Sequence, residues 1–217
     1  MGSLYSINYA GLNNLGRPKA LKADSTVVTS TGNLVVADLI NNGTVTPPFS
    51  ASLSNTINYK GFELYFMFIF YGGHVMRDVQ SVYLSKVPEL NYTTNMDRNV
   101  LNYWKKAGDE LDPEKSPAFY VSAASTTTNL WEARSNNIQK ADFCKLRDVI
   151  LSYSLPSELL AKYYIKGIRF SFQVQNSWYW AANKQHLDPE VWDGTTLSPS
   201  RGTHIPATYT LGLSLNF

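Results

Sequence analysis

The sequence predicts an all-β fold, an antiparallel meander of about six long strands with short turns at one end and long loops at the other. Three observations carry that expectation. Apolar and polar side chains alternate with period two in several separate segments, the pattern of a strand whose two faces meet different surroundings. These segments are near the ~9–11 residues that a tilted strand needs to cross a bilayer. The connections alternate between short and long, which is the asymmetry of a membrane β-barrel.

Composition agrees. Charged residues make up 17% and aromatic residues 13% of the 217 positions. A soluble domain carries nearer ~25% charged residues, so this balance suits an outer face that meets something other than bulk water. The net charge of +2 is spread along the chain, and no basic patch points to nucleic acid. Cys144 is the single cysteine, which excludes an internal disulfide and a cysteine-rich zinc site. It reads as an ordinary strand side chain. The most apolar stretch, Phe62 to Tyr71, contains Glu63 and falls far short of the ~20 residues of a membrane helix. Met1-Gly2-Ser3-Leu4-Tyr5 shows no basic region followed by an apolar one, so no signal peptide is read there and the chain is expected to be a fragment.

Taken in order, the first expected strand lies near 4–10, with Tyr5, Ile7 and Tyr9 on one side. The second, 49–59, places Phe49, Ala51, Leu53, Asn55, Ile57 and Tyr59 opposite Ser50, Ser52, Ser54, Thr56 and Asn58. Lys60-Gly61 is a tight hairpin turn in which glycine supplies a positive φ angle. It leads into 62–71, where Phe62, Leu64, Phe66, Phe68 and Phe70 share a face. The fourth strand, 143–155, groups Val149, Leu151, Tyr153 and Leu155, and Pro156 ends it. Ser157 to Tyr163 links it to 164–176, which groups Tyr164, Lys166, Ile168, Phe170, Phe172 and Val174. The last, 207–217, alternates Tyr209, Leu211, Leu213, Leu215 and Phe217 with threonine, glycine, serine and asparagine.

Between the strands, 11–48, 72–142 and 177–206 read as long loops rich in Gly, Pro, Asn and Thr. A helix is expected over Asp97 to Ala107, capped by Asp97 and ended by Gly108, with Val100, Leu101 and Trp104 on one side. Tyr59, Phe62, Tyr153, Tyr163, Tyr164 and Phe217 gather at the short-turn end, as an interfacial aromatic belt would. Strand preference alone also enriches these residue types.

Catalytic chemistry finds little support, and no cofactor is implied. His74, His186 and His204 fall in loops, and no zinc-protease, nucleophile-elbow or phosphate-loop pattern is present. Asp188-Pro189-Glu190 brings two carboxylates together, but an Asp-Pro step starts turns. Trp178, Trp180 and Trp192 are the candidate ligand contacts, since flat rings stack on sugars. An outer-leaflet belt is the competing role for Trp178 and Trp180.

Several segments, in order along nearly the whole chain, resemble the SusC/RagA-type TonB-dependent transporters. Tyr9-Ala10-Gly11-Leu12 with Gly16 and Pro18 is similar to the family's "aGLd..G.P" segment, and Tyr59 to Leu64 to its "YKGfdL" hairpin. Asn99 to Asp109 resembles the "N.l.rW..pGD" loop, with Ala107 where proline is usual. Phe143 to Pro156 resembles "FLRLRNisLSYtLP", departing at Cys144, Lys145 and Asp148. Gln175-Asn176 followed by Asp188-Pro189-Glu190 resembles "gqNlf...DPE", and the closing segment resembles the terminal strand. The resemblance implies the C-terminal part of a 22-stranded transmembrane β-barrel in the outer membrane, residues 1–217 being that portion alone. It also implies an N-terminal plug, a SusD-like surface lipoprotein and the TonB complex as partners, outer-membrane lipid around the wall, and a glycan or peptide substrate.

Alternation leaves a second fold open, a secreted β-sandwich that binds carbohydrate, because a sandwich shows the same pattern with its apolar face inside. The barrel reading expects Leu53, Ile57, Phe66, Phe68, Leu151, Phe170, Phe172, Leu211 and Leu213 on one outward face. The sandwich reading expects them buried. The barrel reading also expects an open sheet, its edges formed by the strand near 4–10 and by the closing strand.

Overall fold

The computed structural model describes residues 2–78, 101–118, 125–161, 164–193, 200–201 and 204–217. The chain divides into two compact units, one of residues 1–46, 74–140 and 192–201, the other of 47–73, 141–191 and 202–217.

The second unit holds a five-stranded antiparallel sheet, Phe49–Tyr59, Phe62–Gly72, Phe143–Ser154, Gly167–Ala181 and Thr208–Asn216, each strand hydrogen-bonded to the next in sequence. The turn between the first two holds Lys60 at φ 46° and Gly61 at φ 85°. Two positive φ angles in a two-residue loop make the turn whose twist matches that of paired strands. Ser157–Leu160 forms a short helix in the other short link; Tyr163 of the expected belt lies outside the described residues.

Strand pairing keeps strict register except at one place. Leu146 and Asp148 pair with Phe68 and Met67 on one side, so Arg147 is an extra residue there. On the other side the same two residues pair with Trp178 and Gln175, which leaves Asn176 and Ser177 opposite Arg147. Asn176 adopts φ 53°, a conformation that asparagine tolerates better than most residues. The bulge reverses the alternation of the Phe143–Ser154 strand above it. Strict period two from Val149, Leu151 and Tyr153 would place Lys145 with the apolar side chains. Instead Lys145 registers with Ile69 and Tyr179, on the opposite face.

One face therefore carries apolar rows that run straight across the sheet. Leu53, Phe68, Leu146 and Trp178 form one row, and Ile57, Leu64, Leu151, Phe172 and Leu211 another. Tyr59, Phe62, Tyr153, Phe170 and Leu213 make the row nearest the short turns, where Phe62 and Tyr153 lie 4.4 Å apart. The reverse face has Ser54, Met67, Asp148, Gln175 and Thr208 in one row and Asn58, Glu63, Ser152, Ser171 and Gly212 in another. Of the nine residues expected outward, Phe66 and Phe68 are half-buried and the other seven are exposed, up to 83% for Leu211. None is buried, which is opposite to the expectation for a sandwich.

The strand near 4–10 is corrected. Ser3–Ile7 pairs with Leu39–Thr44, and Tyr9–Leu12 pairs separately with Pro18–Leu21. Neither joins the five-stranded sheet, whose outer strands are Phe49–Tyr59 and Thr208–Asn216. The expected 164–176 strand runs Gly167–Ala181: Tyr164 takes φ 58° in a turn, and Asn176 is a bulge inside the strand and not its end. The expected helix is also corrected where it is described. Leu101 to Ala107 contains no α-helix; Tyr103 bridges Ser116, and the Trp104 backbone N–H donates to the Ser116 carbonyl at 2.9 Å. Asp97 to Val100 lie outside the described residues.

The first unit is built from short strand pairs around Ile7, Ala20, Val28, Leu130 and Ala133. Its helix, Ser125–Glu132, is followed by Arg134, whose guanidinium lies 3.3 Å from the centre of the Trp131 ring.

Candidate functional site

Two features of the sheet unit bear on function: the exposed apolar face, and a group of charges on the reverse face. The apolar face is roughly 20 Å across, at ~4.8 Å per strand, and roughly 25 Å along its strands. Its projected area, on the order of 500 Å², is already at the upper range of the largest exposed apolar patch on a soluble monomer, ~300–600 Å². Leaving one leucine in water forgoes ~1.5–3 kcal/mol of burial, so apolar surroundings would favour a face of this size. Rings flank its aliphatic middle. Trp178 and Trp180 lie toward the long-loop end, 49% and 46% exposed, and Trp178 meets Phe68 edge-on with centroids 6.4 Å apart. Tyr59, Phe62 and Phe170 lie toward the short turns. Both tryptophans are thus in a strand and on the apolar face. Trp192 belongs to the other unit, in a two-residue strand paired with Ser200–Arg201.

The reverse face carries the charges. Near the short turns Arg169 bonds to Glu63 and, at 3.0 Å, to the Ser152 hydroxyl. Midway, the Gln173 side-chain amide donates to both Asp148 oxygens at 3.0 Å. Toward the long loops Lys145 is 1% exposed and reaches two carboxylates, Asp188 at 2.7 Å and Glu190. Arg147 pairs with Glu190 and donates to the Asn176 side-chain oxygen at 3.0 Å. His204 Nδ1 lies 2.9 Å from Asp188 and its ring stacks on Tyr179 at 4.3 Å. Burial alone would raise the Asp188 carboxyl, but hydrogen bonds from Lys145 and His204 outweigh it and hold it below its ordinary value. Glu190 is likewise held low: burial opposes ionisation, and Arg147 and Lys145 overcome it.

Asp188-Pro189-Glu190 is therefore a turn, as its sequence suggests, whose carboxylates neutralise a buried lysine and its neighbouring arginine. The sequence carried two hints of this: the basic pair Lys145 and Arg147, and the acidic pair Asp188 and Glu190 two apart. It could not join them, because 43 residues separate Lys145 from Asp188 and the bulge that turns Lys145 to the reverse face has no local signature. Of the expected loop histidines, His204 joins this group and His186 contributes its backbone carbonyl, which accepts from the Tyr179 hydroxyl at 2.8 Å.

No family model matches the chain. Over 164 residues, 74% of its length, it is 28% identical to a TonB-dependent receptor of Formosa agariphila, of which the match covers 15%. The solved structure of the RagAB peptide importer in the "open-open" state overlays 99% of this chain with a TM-score of 0.71 and 21% identity, covering 22% of that chain. A second RagAB peptide transporter structure overlays 100% with a TM-score of 0.70 and 22% identity, covering 23%. The chain is thus similar in sequence to a TonB-dependent receptor, and its fold is that of a stretch of the RagAB barrel. It spans less than a quarter of the length of each of these relatives. They are a receptor and importers.

Proposed function

We propose that residues 1–217 are the C-terminal portion of the barrel of an outer-membrane TonB-dependent transporter of the SusC/RagA type. The observation that carries this reading is the exposed apolar face, flanked by rings at both ends and backed by a polar face. Lipid covers such a face, and a hydrated passage suits its reverse. The sandwich alternative requires the same nine side chains to be buried, and seven are exposed.

On this reading the whole transporter imports oligosaccharides or peptides, with a SusD-like lipoprotein at its mouth and the TonB complex engaging regions outside this chain. The chain performs no catalysis. Trp178 and Trp180 sit in the outer-leaflet interface, and Trp192 is the remaining candidate ligand contact.

The test is made in the full-length transporter in its own cells. The protein should fractionate with the outer membrane, run as a compact species before heating and an unfolded one after, and support uptake of labelled oligosaccharides or peptides. Recovery from the soluble fraction would contradict the membrane assignment. A folded barrel whose deletion leaves uptake of both substrate classes unchanged would contradict transport.

A further inference from the structure

The polar face is covered at its long-loop end by the chain that leaves it. Ala182 to Val191 follows the Gly167–Ala181 strand and turns back onto the face that carries Lys145 and Tyr179. Its anchors are all on that face or at the bulge: the Tyr179 hydroxyl donates to the His186 carbonyl, Lys145 bonds Asp188 and Glu190, and Arg147 bonds Glu190. At its root the Ala182 backbone N–H donates to the Asp142 carbonyl at 2.9 Å.

The segment is stiff within itself. The Asn183 side chain donates to the Leu187 carbonyl and accepts from the Leu187 N–H, both at 2.7 Å. Asp188 Oδ1 accepts from the Glu190 N–H at 3.1 Å, and Pro189 between them fixes its own φ. Two cations meet two carboxylates, so no charge is left over. Lifting the segment would have to separate both ion pairs and the Tyr179–His186 hydrogen bond together, and these contacts hold it down as a set.

We infer that Ala182 to Val191 is an inward-folded strap, latched by the Lys145/Arg147–Asp188/Glu190 ion pairs to the passage side of the wall, and that it narrows the passage. This rests on the barrel reading above. A segment held on the polar face takes up space that a substrate would otherwise use, so the strap limits how bulky a substrate can pass along this wall.

The test uses the full-length transporter in its membrane, freed of native cysteines, with single cysteines placed one at a time. Val36→Cys, at an 81% exposed position that begins a short 3-10 helix, reports free access. Leu211→Cys reports the lipid-facing side, and Lys184→Cys reports the strap, where the native side chain is exposed. Each is treated with a small maleimide and with a bulky polyethylene-glycol maleimide. Leu211→Cys should resist both reagents. Lys184→Cys should react with the small one but, relative to Val36→Cys, at least about tenfold more slowly with the bulky one; tenfold corresponds to ~1.4 kcal/mol. Combining Lys184→Cys with Lys145→Met, Arg147→Met, Asp188→Asn and Glu190→Gln removes both ion pairs together, leaves none of these four charges unpaired, and should restore the bulky reagent's rate. Heat-dependent migration on a gel verifies that this variant is folded. If Leu211→Cys is protected while Lys184→Cys reacts with the bulky reagent as fast as Val36→Cys, the strap is not inward and the inference falls, with the barrel reading intact. A folded latch variant that stays slow overturns the latch. If Leu211→Cys reacts like Val36→Cys, the barrel reading itself falls and the strap with it.

Discussion

Lys145 shows how one residue's chemistry depends on distant sequence. A lysine 1% exposed is tolerable only because Asp188 and Glu190 come to it. Lys145→Met takes the buried cation from Asp188, which is itself 5% exposed and keeps only His204 and the Glu190 N–H as partners, and should cost ~3 kcal/mol in denaturant unfolding. Glu190→Gln leaves Lys145 its Asp188 partner and should cost about 1 kcal/mol. Equal costs for the two would show that the buried pair is not the anchor. Both carboxyls are held below their ordinary values of 3.8 and 4.5. A depressed folded-state value gives stability that is complete above the unfolded value and is lost as pH falls through the folded one. Hydrogen exchange at the Leu187 and Glu190 amides should therefore show constant opening free energy from neutral pH down to the ordinary carboxyl values, and weakening only below them. Weakening between pH 5 and 7 would contradict this sign.

At the scale of elements, alternation is legible where a strand is long and its faces differ. Phe49–Tyr59 is found at the expected bounds, and Phe62–Gly72, Phe143–Ser154 and Thr208–Asn216 within a residue or so at each end. Tyr5, Ile7 and Tyr9 alternate too, but so short a run does not specify its partner, and that strand pairs elsewhere. The Ser125–Glu132 helix was not legible, because its threonine-rich start has weak helix preference and Leu130, 1% exposed, anchors it through packing. The bulge was hidden for a different reason: an asparagine marks a strand's end as readily as a bulge within it, and only the pairing reveals the extra residue. Asn176 at φ 53° makes this testable. Asn176→Gly keeps the φ angle but loses the Arg147 bond and should cost about 1 kcal/mol, while Asn176→Val should cost ~1–2 kcal/mol more by forcing a β-branched side chain into the left-handed region. A neutral valine would mean that the bulge is not fixed. Gly61 behaves similarly, with an added contact. A Cβ there would lie 2.9 Å from the Ser154 carbonyl oxygen, so Gly61→Val should destabilise the hairpin more than Lys60→Asn does.

At the scale of the whole molecule, the five-stranded sheet has two unlike faces and two edge strands. The edges are Phe49–Tyr59 and Thr208–Asn216, each paired on one side only among the described residues; in a complete barrel each would have a second neighbour. Faces were legible in the sequence because their period is two; the first edge was not, because the edge depends on which strands join the sheet. The faces make an asymmetric prediction for charge. Leu211→Arg should cost ~2–4 kcal/mol if that row lies near the bilayer midplane, whereas Thr210→Arg, one residue away on the polar face, should cost little. Equal penalties in a vesicle-refolding titration would contradict two distinct faces. The most direct test is a nitroxide scan of positions 208 to 216 in the full-length protein reconstituted into vesicles, read by collision with oxygen and with a water-soluble nickel complex. Oxygen, which concentrates in lipid, should collide most at 209, 211, 213 and 215, and nickel at 208, 210, 212 and 214, in opposite phase with period two. Nickel access at 209, 211, 213 and 215 equal to that at their neighbours would contradict the account, because the apolar face would then be meeting water.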